Sequence, residues 1–169
     1  AVRYFLPRLR DTLDLDFIIA NGENMAGGSG VTPSTATEVF EAGVDVMTCG
    51  DHLWDKREVI SLLNNEPKFV RPENYPVGTP GQGYCVRQVN NLPPIGVLNL
   101  QGQTFMKPIE NPFFAADAAV AKLKLKTNII FVDMHAETTS EKIAMGRFLD
   151  GRVSALVGTH THVQTADEQ

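Results

Sequence analysis

The chain has 169 residues, 43% hydrophobic and 21% charged, which suffices for one ordinary globular domain with its own core. Its 20 acidic and 15 basic side chains give a net charge of −5 without a basic stripe. That excludes nucleic-acid binding by bulk electrostatics, and a small phosphate ligand would need local positive charge, which bound cations can supply.

Helical and strand patterns alternate along the chain. The opening "AVRYFLPRLRDTLDLD" reads as helix and "DFIIA" (16–20) as a buried strand. A helix follows in "TPSTATEVFEAG", with Thr32 as N-cap, Pro33 at the first helical position and Gly43 as the stop. "VDVMTC" (44–49) is a second strand and "DKREVISLLN" a second helix. "GYCVRQV" and "IGVLNL" read as an antiparallel pair around Asn90-Asn91, at the edge of the sheet or in a second one. Then come a helix in "NPFFAADAAVAKLKL", a strand in "NIIFVDM", a helix in "SEKIAMGRFLDG" and a strand in "VSALVGT". This order specifies an α/β fold with a largely parallel sheet. Two cysteines, Cys49 and Cys85, make no disulfide framework. With no signal peptide or membrane-length apolar run, a cytoplasmic protein is expected.

Four strands end in polar clusters. Asn21, Glu23 and Asn24 follow the first, and Asp51 and His52 the second. His135 and Glu137 follow "NIIFVDM", and His160 and His162 follow "VSALVGT". Ligands of open α/β sheets bind at the carboxyl ends of strands, so distant segments would deliver Glu23, Asn24, Asp51, His52, His135, His160 and His162 to one edge. Taken singly, each has a plainer reading: Asp51 as a helix N-cap, His135 as a hydrogen-bonded core histidine, Glu23 and Asn24 as a turn. Together those readings leave unexplained why all four histidines of the chain follow strands and share an edge with acids. Mixed carboxylate, amide and imidazole donors suit manganese, iron or zinc. Seven candidates are too many for one ion and suit two ions about 3.5–4 Å apart, bridged by a carboxylate and clamping a phosphoryl group. A histidine left off the metals could protonate the leaving oxygen. The glycine-rich "AGGSG" matches neither the dinucleotide fingerprint nor the P-loop, and no Gly-x-Ser-x-Gly elbow is present.

The segments "NGENMAGGSGVTP", "GVDVMTCGDHLWDK", "RPENYP", "GTPGQGY", "NLQGQTFM", "FVDMHAETTSEK" and "DGRVSALVGTHTHVQTADE" resemble the YmdB-like branch of the calcineurin-like metallophosphoesterases over essentially the whole chain. The resemblance implies an α/β sandwich of two mixed sheets flanked by helices, a dinuclear metal centre and phosphodiesterase activity, including on cyclic nucleotides. It also implies roles. Glu23 would bridge both metals, Asn24 and His162 would bind the first, and Asp51, His135 and His160 the second. His52 would serve the leaving group as acid or transition-state stabiliser. The two ions would be manganese or iron first, zinc next, and the partner a small phosphodiester, with homo-oligomers left open. Phosphomonoesterase activity on the same scaffold, or a metal-containing nucleotide-binding regulator with little turnover, are the alternatives. Asp51 stands where the family pattern has asparagine. Family members also begin with a strand ending in a metal-binding Gly-Asp pair and continue well past "TADE". Residues 1–169 are therefore expected to be a single domain lacking the first strand and the C-terminal part.

Overall fold

The computed structural model describes all of residues 1–169. Helix α1 (Val2–Leu13) lies on the surface, and Arg10 in its last turn donates to the Asp45 carboxylate and, at 2.9 Å, to the Gly43 carbonyl. Strand β1 (Ile19–Asn21), helix α2 (Pro33–Glu41), strand β2 (Val46–Thr48), a 3₁₀ turn (Asp51–Asp55) and helix α3 (Val59–Asn65) follow. The Thr32 side chain caps α2 by accepting from the Thr35 backbone N–H, and Gly43 ends the segment at φ 109°, a value that suits glycine. Strands β3 (Tyr84–Arg87) and β4 (Ile95–Gln101) form the antiparallel pair. Helix α4 (Pro112–Lys124), strand β5 (Ile129–Ala136), helix α5 (Thr139–Leu149) and strand β6 (Ala155–His160) complete the chain.

The strands form two sheets. One is the parallel pair β1-β2; the other is mixed, in the order β3-β4-β5-β6, with β3 at its edge. Strands joined through α4 and α5 must run parallel, so the carboxyl ends of β4, β5 and β6 share one edge.

Period-two alternation sorts β5 into two faces. Ile130, Val132, Met134 and Ala136 are buried in a core with Ala116, Val120 and Leu123 of α4 and Met145 and Leu149 of α5. Burying side chains the size of Met145 and Leu149 stabilises the fold by about 2 kcal/mol each. Phe131, Asp133 and His135 point the other way, toward the β1-β2 sheet, where Val46, Val70, Cys85 and Val97 form a small inter-sheet core. A third core, built around Met47, Leu53 and Phe69, packs α2 and α3 beneath β2. No helix is long and apolar enough to cross a membrane, and both cysteines are free and buried.

The strands β1 and β2 are shorter than their apolar runs, and Asp45 explains where they start. Its carboxylate takes the Ile18 N–H at 2.8 Å while binding Arg10, so ladder pairing begins only at Ile19 and Val46. A cleft of about 710 Å³ runs along β1 and β6, lined by Ile19, Ala20, Asn24, Thr159 and His162 among others.

Candidate metal centre

Four sequence-distant segments meet at the carboxyl ends of β1, β2, β5 and β6; Glu23 and Asp51 follow their strands, while His135 and His160 stand within the last two positions of β5 and β6. Glu23, Asp51, His135 and His160 each bring a donor atom to within 4.8 Å of the others. Glu23 and His135 are almost wholly buried, at 2% and 0% exposure. His135 Nε2 lies 3.1 Å from Glu23 Oε1, 3.0 Å from Asp51 Oδ1 and 3.1 Å from His160 Nδ1. One ring nitrogen carries at most one hydrogen and cannot satisfy three acceptors. Two carboxylate oxygens and two imidazole nitrogens aimed at one point are what a cation requires, so the donor set fits a metal ion.

Asn24 and His162 form a separate pair, with Asn24 Nδ2 3.2 Å from His162 Nε2 at the mouth of the cleft. Turning the amide over would present its oxygen at the same point. His160 and His162 both have left-handed backbone, φ 94° and 50°. Such values are uncommon outside glycine and let two residues of one loop aim apart. Lys142 Nζ donates to Thr161 Oγ1 between them at 3.0 Å.

His52 stays outside the four-residue cluster. Its backbone N–H donates to Glu23 Oε1 at 2.9 Å, while its ring Nδ1 lies 2.8 Å from Asp55 Oδ2. Hydrogen bonds from Ser29 and from His52 hold the Asp55 carboxyl below the usual range. The pairing of residues 52 and 55 follows from the 3₁₀ turn, where positions three apart eclipse. Asp51 sits in the first turn with Gly50 as N-cap, so its carboxylate faces His135 and His160 instead of capping the turn.

Behind this layer stand Glu137, which the sequence places after β5 without a role, and Asp133, which sequence patterning missed. Glu137 Oε2 lies 2.8 Å from His160 Nε2, on the ring edge away from the cluster. Asp133, fully buried, accepts hydrogen bonds from Asn21, Thr48 and Thr159. Burial raises its pKa and those bonds oppose the rise. An acid two residues before His135 in an otherwise apolar strand was the available signal, since the two share a face.

The sequence profile described as YmdB-like protein matches residues 1–169. The chain belongs to the YmdB-like family. Over 168 residues it is 45% identical to a Bacillus subtilis protein named 2',3'-cyclic-nucleotide 2'-phosphodiesterase, covering 99% of this chain and 63% of that one. A solved structure of a hypothetical protein from Thermus thermophilus superposes with a TM-score of 0.92 at 43% identity, covering 99% of this chain and 64% of the other. A second, described as a novel phosphatase from Mycoplasma pneumoniae, gives 0.89 at 34% identity, covering 98% and 60%. This YmdB-like chain thus spans a little under two thirds of the relatives it matches. Its α/β architecture of two sheets and flanking helices is that of the structural relatives.

Burial disfavours charge on His135, but hydrogen bonds to Asp51 and Glu23 outweigh it and push the ring up to about 9. The His135 hydrogen bond holds Asp51 well below the usual carboxylate range. The sign follows from linkage. The raised histidine stabilises the metal-free fold fully below its unfolded pKa near 6.5, and that contribution is lost as pH rises through about 9. The depressed aspartate stabilises above its unfolded pKa near 4, and its contribution is lost as pH falls below that. Thermal unfolding of the metal-free protein should therefore move to lower temperature between about pH 6.5 and 9. Metal should bind more tightly across the same interval, because the ion replaces the His135 proton. A melting temperature and metal affinity that are both flat over this range would contradict a protonated His135.

Gly50 supplies a second test. A Cβ built there would lie 2.2 Å from His135 Nε2 and 2.5 Å from Glu23 Oε1. Gly50→Ala should push these two donors apart and lower metal affinity by at least tenfold, the usual scale for disturbing ligand geometry. Wild-type affinity by calorimetric titration would show that the cluster tolerates a wider spacing than it has here.

Proposed function

We propose that this chain forms the core of a dinuclear metal-dependent phosphodiesterase acting on small phosphate diesters, cyclic nucleotides among them. The observation that carries the proposal is the convergence of Glu23, Asp51, His135 and His160 from four separate segments on one largely buried point. The name of the Bacillus subtilis relative supports the same substrate class. On this reading residues 1–169 act as a single metallophosphoesterase unit.

Glu23, the most buried acid of the group, would reach both ions. Asp51, His135 and His160 would complete one position, and Asn24 and His162 would contribute to the other. The donors suit manganese or iron first and zinc next. Two ions held there would supply positive charge for the phosphate and activate an attacking water. That supply matters in a chain whose own net charge is −5.

The chain's own residues account for the rest. Glu137 beside His160 and Thr159 beside His135 hold the two rings by the nitrogen away from the cluster. Asp55 plays the corresponding part for His52, accepting from Nδ1 and leaving Nε2 to serve the leaving oxygen. With a proton on Nε2, His52 donates to the departing alkoxide as its bond to phosphorus breaks.

Asp51 favours the regulatory alternative by one specific feature. A carboxylate here adds a negative charge that an approaching phosphate must overcome, where a neutral amide would not. Turnover of bis(p-nitrophenyl) phosphate against p-nitrophenyl phosphate separates the readings. Diester hydrolysis in excess of monoester hydrolysis supports the phosphodiesterase, and the reverse preference supports a phosphomonoesterase. Bound metal and nucleotide without either reaction supports a regulator.

His52→Ala should leave metal content nearly intact and slow turnover of alkyl phosphodiesters by roughly 10²–10⁴-fold. The loss should be smaller on p-nitrophenyl esters, whose leaving group needs little protonation. Equal losses on both esters would rule out the acid role.

A further inference from the structure

We infer that Asp133 is the positioning residue of the metal centre, a single buried carboxylate that ties together all four ligand-bearing segments and fixes which nitrogen of His135 faces the metal. The inference rests on the reading of Glu23, Asp51, His135 and His160 as metal ligands.

The connections are direct. Asn21 Nδ2 donates to Asp133 Oδ2 at 3.1 Å, and Asn21 Oδ1 in turn accepts the Glu23 backbone N–H at 3.1 Å. Thr48 Oγ1 donates to the same Oδ2 at 2.5 Å, and Thr48 leads through Cys49 and Gly50 to Asp51. Thr159 Oγ1 donates to Oδ1 at 2.7 Å and immediately precedes His160. Asp133 itself stands two residues before His135 on the same face of β5. Asn21 and Thr48 belong to one sheet, Asp133 and Thr159 to the other, so this carboxylate is also a polar tie between the sheets. A wholly buried acid with three donors is well satisfied, and nothing in the packing alone requires an acid there.

The link to His135 is a proton-direction argument. His135 Nδ1 lies 3.0 Å from Thr159 Oγ1. The one hydroxyl proton of Thr159 goes to Asp133, so toward the ring the oxygen can only accept. Nδ1 therefore carries a hydrogen, and Nε2 is the nitrogen left to ligate among Glu23, Asp51 and His160.

Asp133→Asn tests this with almost no change of shape. To accept from Asn21 and Thr48, the new amide must put its oxygen where Oδ2 was. Its NH₂ then faces Thr159, whose proton must turn to His135 Nδ1. The ring hydrogen is driven to Nε2, where it competes with the metal. The opposite amide orientation sets the NH₂ against that of Asn21.

The experiment has two readouts on wild type, Asp133→Asn, Thr159→Ser and Thr159→Val. One is Mn²⁺ affinity by calorimetry; the other is hydrogen exchange of the metal-free proteins. Asp133→Asn should bind Mn²⁺ roughly 10–100-fold more weakly, the usual effect of losing a partner behind a metal ligand. Exchange at Gly22 and Glu23, whose amides depend on the Thr48 carbonyl and on Asn21, should quicken while α4 is unchanged, because a neutral amide oxygen holds Asn21 and Thr48 less strongly than a carboxylate does. Thr159→Ser, which keeps the hydroxyl, should behave as wild type, and Thr159→Val should match Asp133→Asn in affinity. In affinity the double variant Asp133→Asn/Thr159→Val should be no worse than either alone, because both break one chain. Wild-type affinity and exchange in Asp133→Asn, or identical behaviour of Thr159→Ser and Thr159→Val, would overturn the inference. Should Asp133→Asn fail to fold, the two Thr159 variants still decide it. A wild-type protein that takes up no Mn²⁺ defeats the metal reading itself, and exchange in the metal-free variants then decides the role of Asp133.

Discussion

Two carboxylates and two imidazoles cannot share one buried point without a positive charge among them, and much of this molecule is arranged around that constraint. Glu23 and His135 have no access to water with which to dissipate their charge. In the metal-free protein a proton on His135 serves, which is why its pKa rises although burial works against it. A bound metal ion would serve the same role with more charge, and the His135 proton would then compete with it for one position.

Holding it open demands compensations nearby. Gly50 has no side chain because His135 and Glu23 occupy the space a Cβ would need. His160 and His162 accept left-handed backbone so that one short loop can serve two places. The β1 and β2 strands contribute only three ladder residues each before the chain turns to the site. Backbone donors past β2 are used by the site as well, as with the His52 N–H bound to Glu23. Stability comes instead from the apolar face of β5 against α4 and α5 and from the packing of α2 and α3 beneath β2. On the opposite face of β5 the end nearest the site, Asp133 and His135, is left polar.

Much of this was legible in the sequence. Alternating apolar runs and helical patterns specify the α/β order, and Thr32, Pro33 and Gly43 mark the ends of α2 as capping chemistry predicts. The rule that ligands gather at strand carboxyl ends brought the acids and histidines to one edge without coordinates. What patterning could not show were features set by tertiary contact. The stretch "DKREVISLLN" reads as one helix, yet Asp51–Asp55 is a 3₁₀ turn and α3 begins only at Val59. Its first residue, Asp55, closes that 3₁₀ turn and accepts from His52 and Ser29 instead of starting the helix. The early strands are shorter than their apolar runs because a side chain, Asp45, takes a ladder donor. Asp133 is a single acid in an apolar strand, and its three partners come from as far as 112 positions away in sequence. Only the fold makes them neighbours.

Two metal positions are proposed at this edge: the buried cluster of Glu23, Asp51, His135 and His160, and the outer pair Asn24 and His162. Electron paramagnetic resonance during manganese titration of the wild-type protein and His162→Ala addresses this proposal directly. Two ions per wild-type chain with the signature of a coupled pair are expected, and a single uncoupled ion in His162→Ala. One ion per chain with the same uncoupled spectrum in both proteins would contradict it, leaving His162 outside the centre and the site mononuclear.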